Sequence, residues 1–151
     1  RQARFDPPLR TQNDRQALSN AAASGLAAIC SDHTPVGADD KLLPFADAKP
    51  GATGLELLLP LTLKWADAAK CSLSDAIARI TQAPAEVLGL PIGNLSPGSA
   101  ADICIFDPEA SWQLSPEALR SRGKNSPWMG YEMTGKVRQK MVGVRVVFTA
   151  D

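Results

Sequence analysis

Apolar residues follow different rhythms in successive parts of this chain. Between residues 54 and 69, Leu55, Leu58, Leu59, Thr62, Leu63 and Ala66 recur at three- and four-residue steps, the spacing of one helix face. Pro60 lies inside that pattern, so a kink or a fresh helix start is expected near it. Upstream, residues 15–23 are alanine-rich and read as a helix, capped by Asn13 or Asp14 and ended at Ser24-Gly25. Leu26, Ala27, Ala28, Ile29 and Cys30 then form an unbroken apolar run. Its shortness and flanking glycine predict a buried strand. The run stops at the polar residues Ser31, Asp32 and His33. Helix, glycine turn, buried strand and polar strand end are the grammar of an α/β fold.

Residues 36–52 read as a long loop. A helix follows from Ser72 or Ser74, burying Ala76, Ile77 and Ile80, and Pro84 suits the first turn of a short helix over 85–88. After residue 90 the rhythm changes again. Turn residues crowd in at Gly93-Asn94, Ser96-Pro97-Gly98 and Asp107-Pro108. Strands are predicted over 101–106, 136–142 and 144–148. The expected division is therefore 1–92, strand and helix units, and 93–151, an all-β tail.

Composition narrows the function classes. Lys and Arg number 16, as do Asp and Glu, so the formal net charge is zero and nucleic acid is not expected as a partner. No apolar run approaches the roughly 18 residues of a membrane span. Cys30, Cys71 and Cys104 are odd in number and widely spaced, which points to reduced thiols and a cytoplasmic protein. His33 is the single histidine, too few for a self-contained multi-histidine metal site. The first residue is Arg1, and the chain is read as a C-terminal portion of something longer.

Asp32 is the first candidate for chemistry, because functional groups of α/β barrels gather at the C-terminal ends of strands. A carboxylate there can ligate a metal or take a proton from water. It can equally cap the turn that follows. Strand alternation points His33 the other way, toward packing or a loop hydrogen bond. Gly51 and Gly54 could open backbone N–H groups to an anion, or simply loosen a helix entry. Glu56 could do no more than complement the helix dipole, and Arg10 reads as an ordinary surface arginine. The sequence contains no P-loop, nucleophile elbow or HExxH.

Taken in order, several runs resemble the C-terminal third of the dihydroorotases, in the amidohydrolase superfamily. They are DPPLR at 6–10, SDHTP at 31–35, KLLPFA at 41–46, PGATGLE at 50–56, ITQAPA at 80–85, GNLSPGSAADI at 93–103 and RGKNSP at 122–127. The resemblance implies an α/β fold: the C-terminal part of a (β/α)8 metal-dependent-hydrolase barrel, plus strands of a small composite β domain. Residues 26–30 would be the last barrel strand. Asp32 would match the aspartate that touches zinc and acts as general base toward the cyclic amide. Residues 50–54, with Ala52 and Gly54, would lie beside the substrate.

Two positions depart from the pattern. Active members carry a histidine where this chain has Val36, and an asparagine where it has Asp6. Valine donates no hydrogen bond, and Asp6 sets a negative charge against an anionic substrate. Both point to the catalytically silent dihydroorotase-like proteins that assemble with aspartate carbamoyltransferase in pyrimidine synthesis. An active zinc dihydroorotase is the alternative. A hydantoinase fits PPLR and SDHTP less well. Zinc is expected in active members and not in this chain alone. The expected partners are the N-terminal part of the same protein, aspartate carbamoyltransferase and further copies of the protein.

Overall fold

In the computed structural model, residues 2–150 are described, and the helices come first. Helix α1 spans Gln12–Ala23. Its cap is Thr11, not Asn13 or Asp14: the Thr11 hydroxyl accepts from the Asp14 N–H, and the Asp14 carboxylate accepts from the Thr11 N–H at 3.0 Å. The reciprocal pair satisfies two otherwise orphaned donors, and it starts the helix one turn earlier than the alanine pattern indicates. These bonds from Thr11 hold the Asp14 carboxyl below its ordinary range. The predicted loop 36–52 contains one helical turn, α2 (Ala38–Leu42). Asp39 and Asp40 in its first turn and Lys41 in its last suit the helix dipole.

The long apolar pattern resolves into a 3-10 turn, Leu55–Leu57, and helix α3, Leu58–Ala69. Pro60 is the third residue of α3, where no intrahelical donor is needed, so a new helix starts at the proline. Thr62 and Ala66 face inward as the spacing predicts, whereas Leu55 is 63% exposed. Helices α4 (Leu73–Ala78, capped by Ser72) and α5 (Gln82–Val87) follow. Helix α5 begins three residues before the predicted short helix, with Pro84 in its first turn.

Strands β1 (Ile103–Gln113), β2 (Glu132–Val142) and β3 (Arg145–Thr149) make one antiparallel sheet in the order β1-β2-β3. Asp107-Pro108 does not end a strand as predicted. Its turn chemistry appears as a bulge inside β1, where the register shifts between Asp107 and Ser111. The Asp107 carboxylate accepts from the Glu109 and Ala110 N–H groups and pairs with Arg138 at 2.9 Å.

Residues 26–30 belong to no helix or sheet, which corrects the strand expectation for this chain. A parallel strand needs neighbours for its backbone, and the Ile29 N–H bonds instead to the Arg79 carbonyl. Leu26 is 86% exposed. The buried core lies elsewhere. Leu57, Leu114, Leu119 and Met133 cluster together, with Leu61, Trp112, Trp128 and Met129 packed on them. Helix α3 lies directly on β2: a Cβ at Gly135 would meet the Leu63 side chain at 2.4 Å. Residues on both sides of position 92 thus share one core.

The turn from β2 to β3 yields a stability prediction. Val144, predicted to open the last strand, sits in this turn with φ of 70°, beside Gly143 at 53°. Two successive positive φ values suit a tight hairpin but strain a β-branched residue. Val144→Asn is expected to stabilise the protein by about 1 kcal/mol, read as a higher urea midpoint. An unchanged or lower midpoint would contradict this account.

Candidate functional site

Asp32 stands just beyond the apolar run with φ of 43°, exposed to solvent. Among the described residues its carboxylate makes no hydrogen bond or ion pair. Only its backbone carbonyl is used, accepting from the Thr34 hydroxyl at 3.3 Å. The carboxylate therefore does not cap the turn. The left-handed conformation, uncommon outside glycine but tolerated by Asp, leaves the carboxylate free.

His33 makes a loop hydrogen bond, one of the two roles expected for it. Its Nδ1 accepts from the N–H groups of Gly54 and Leu55, each at 3.1 Å. An accepting Nδ1 carries no proton, so the imidazole is the Nε2–H tautomer in this arrangement. Residue 33 also forms a parallel bridge with Ala52, and the Thr34 N–H donates to the Ala52 carbonyl. This joins the 31–36 and 50–54 segments side by side. Glycine permits the approach: a Cβ at Gly54 would lie 2.4 Å from the Ser31 carbonyl oxygen.

The 50–54 segment is neither an anion cradle nor a loose helix entry. The Gly51 N–H donates to the Arg4 carbonyl, Thr53 N–H to the Asn125 carbonyl, and Gly54 N–H to His33. With those donors engaged inside the protein, the segment is a hub tied to Arg4, Asn125 and His33. Val36 is also drawn in. It is 7% exposed, and its N–H donates to Asn125 Oδ1 at 2.9 Å. Asp6 is exposed and lines a shallow cavity of about 450 Å3 together with Arg4, Phe45 and Pro50. The bond from Gly51 to the Arg4 carbonyl ties that wall to the hub. Asp6, Val36, Ala52 and Gly54 are thus joined through residues 51–54, while Asp32 stands at the outer end of the 31–36 segment. Arg10 is exposed, in keeping with its surface reading.

Four residues contribute more than the sequence reading gave them. Glu56 does more than complement a dipole: its Oε1 accepts from the Arg120 and Ser121 N–H groups at 2.9 and 2.7 Å. Asn125 and Gly123 sit in a run used above only as a motif. Nothing local in RGKNSP says which loops it will meet. Lys41 is the fourth surprise. It is 2% exposed, with Nζ donating to the Arg4 carbonyl at 3.4 Å. Burial first, and the Arg4 charge second, pull its ammonium below the ordinary 10.5.

The sign of that shift sets a pH dependence. Between the lowered folded pKa and 10.5 the unfolded chain holds more protons at Lys41 than the folded one, so stability gained from this residue rises with pH there. Lys41→Met is expected to abolish the rise and to leave stability at neutral pH equal or higher. Urea unfolding at neutral pH and just below 10.5 checks both. A lower neutral-pH midpoint in the variant would contradict the burial argument.

Residues 8–147 match the sequence model of the amidohydrolase family. The chain belongs to that family. A dihydroorotase of Syntrophotalea carbinolica is 42% identical over 147 residues, covering 97% of this chain and 35% of that protein. A dihydroorotase-like protein of Pseudomonas aeruginosa is 44% identical over 137 residues, covering 90% and 32%. Among solved structures, L-hydantoinase (dihydropyrimidinase) of Arthrobacter aurescens superposes with a TM-score of 0.85 at 31% identity, over 97% of this chain and 34% of that one. The fold is the α/β one expected, the C-terminal part of an amidohydrolase barrel. The chain spans about a third of the length of the curated relatives it matches.

The zinc implied by the resemblance can be tested against the donors present. A catalytic zinc takes about three protein ligands. Asp32 offers one free carboxylate, and the Nδ1 of His33 is occupied by two amides. Among the described residues no group of three His, Cys, Asp or Glu comes together. Asp32 fits as one ligand, but these residues do not form a zinc site by themselves. Likewise, among the described residues no helix is long and apolar enough to cross a membrane.

Proposed function

We propose that this chain is the C-terminal portion of a dihydroorotase-like protein of pyrimidine synthesis that has no turnover of its own and supports aspartate carbamoyltransferase assembly. The observation that carries the reading is Val36. Its backbone is pinned to Asn125 and its side chain is buried, so the position presents no donor to a substrate carboxylate. Asp6, exposed in the cavity wall, adds a negative charge that disfavours an anionic substrate. The likeness to the Pseudomonas protein named dihydroorotase-like agrees with this.

One observation favours the second reading, an active enzyme that hydrolyses the cyclic amide of dihydroorotate to carbamoyl aspartate. Asp32 is exposed, and among the described residues its carboxylate makes no hydrogen bond or ion pair, which leaves it available to take a proton. In that reaction it would take a proton from the attacking water and return it to the amide nitrogen as the C–N bond breaks. A bound zinc would polarise the carbonyl.

The test is a dihydroorotase assay of the full-length protein with added zinc. No turnover is expected. Loss of one hydrogen bond to a charged group costs about 10- to 100-fold, and the repulsion from Asp6 adds to it. Robust turnover by the unsubstituted protein would establish the active enzyme instead. Gain of turnover in the Asp6→Asn, Val36→His pair would locate the defect. Co-sedimentation with aspartate carbamoyltransferase tests the scaffold role, and two separate boundaries would count against it.

A further inference from the structure

Both walls of the candidate site meet at one side chain from the distant C-terminal half. Asn125 is buried and makes three bonds to them. Its Oδ1 accepts from the Val36 N–H at 2.9 Å, and its Nδ2 donates to the Gly51 carbonyl at 3.0 Å. Its backbone carbonyl accepts from the Thr53 N–H at 2.8 Å. The amide thus joins the two segments as a bridge, using one acceptor and one donor that no other neutral side chain of its size presents in that geometry. Around it the fit is close. The Thr53 hydroxyl donates to the Gly123 carbonyl at 2.5 Å, and a Cβ at Gly123 would lie 2.5 Å from the Pro35 Cβ.

We infer that Asn125 is a positioning residue that sets the spacing between the 31–36 segment, which carries Asp32 and Val36, and the 50–54 segment, which carries Ala52 and Gly54. Buried amides joined this way are costly to separate, because each freed donor or acceptor would be left without water. The spacing of the two walls is therefore held from the C-terminal half of the chain, in addition to the direct bonds that His33 and Thr34 make with residues 52–55. The meaning of this for ligand binding rests on the proposed function. The positioning itself does not, since it can be read without substrate.

The experiment is hydrogen exchange on the full-length protein, resolved to the two segments. In Asn125→Ala, exchange at 31–36 and at 50–54 is expected to rise together by about tenfold or more, with α3 and β2 unchanged. In Gly123→Ala, which crowds Pro35 and the Val36 nitrogen, 31–36 is expected to loosen more than 50–54. A spectroscopic reading accompanies these. The His33 Nδ1 nitrogen resonance should leave its unprotonated-acceptor position in Asn125→Ala, because the 54–55 amides separate from the ring. Unchanged protection of either segment, or loosening spread evenly over α3 and β2, would overturn the inference. Should the alanine variant fail to fold, the unsubstituted protein still decides: the side-chain amide protons of Asn125 must exchange slowly, and rapid exchange would overturn it. A positive turnover assay with these exchange results would reject the silent-subunit reading while leaving the positioning role intact.

Discussion

Gly51→Ala should cost the protein several kcal/mol, far more than a methyl group costs at an open turn. Two separate effects add. The residue has φ of +122°, where side chains are strained by about 1–3 kcal/mol. Its Cβ would also lie 2.5 Å from the Thr34 carbonyl oxygen and 2.7 Å from the Thr34 Cγ2. A backbone oxygen cannot step aside as a flexible side chain can, so overpacking of about 1–3 kcal/mol is expected on top. The control is Gly98→Ala. That residue has φ of +90° but nothing within 4 Å of the added carbon. The difference between the two urea midpoints isolates the contact from the backbone strain. Equal midpoints would show that the 31–36 and 50–54 segments do not approach as closely as described. The same substitution should disturb the bond from Asn125 Nδ2 to the Gly51 carbonyl, so its effects will not add simply to those of Asn125→Ala.

Leu57→Ala is expected to destabilise by about 2–5 kcal/mol, the range for emptying a filled core site. Leu57 is 0% exposed and packs with Leu114, Leu119 and Met133. It is the last residue of the 3-10 turn, next to Glu56, whose carboxylate holds the Arg120 and Ser121 amides. A cavity at Leu57 should therefore loosen residues 119–126 as well as the turn. Leu55→Ala, two residues away on an exposed side chain, should change stability by less than about 0.5 kcal/mol. Chemical denaturation of both variants makes the comparison. Similar losses at 55 and 57 would mean that the core is not where the packing places it.

Of the fold, the sequence announced what local chemistry controls. The helix over 58–69 was legible because its apolar spacing is periodic, and the start of α4 was legible from Ser72 or Ser74, of which Ser72 is the cap. The β tail was legible from its turn residues, though Asp107-Pro108 became a bulge and Val144 a turn residue. Those choices depend on what the opposite strand offers, and a single segment does not encode its partner's register. The start of α1 was misplaced because the capping pair Thr11 and Asp14 lies outside the alanine-rich pattern.

The site divides in the same way. Asp32 was legible as the polar end of an apolar run, the loop hydrogen bond of His33 was one of the two roles expected for it, and the resemblance pointed to Val36, Asp6 and the 50–54 segment. What only the tertiary structure decided is how these positions meet. Asn125 lies 89 residues from Val36 in sequence, yet its amide bonds the Val36 N–H. Lys41 lies in a stretch read as a loop, yet it is buried and donates to the Arg4 carbonyl. A sequence carries propensities over a few residues, set by backbone sterics and side-chain spacing. Which donors meet which acceptors across such distances is fixed only when the apolar core brings the segments together and water is removed from between them.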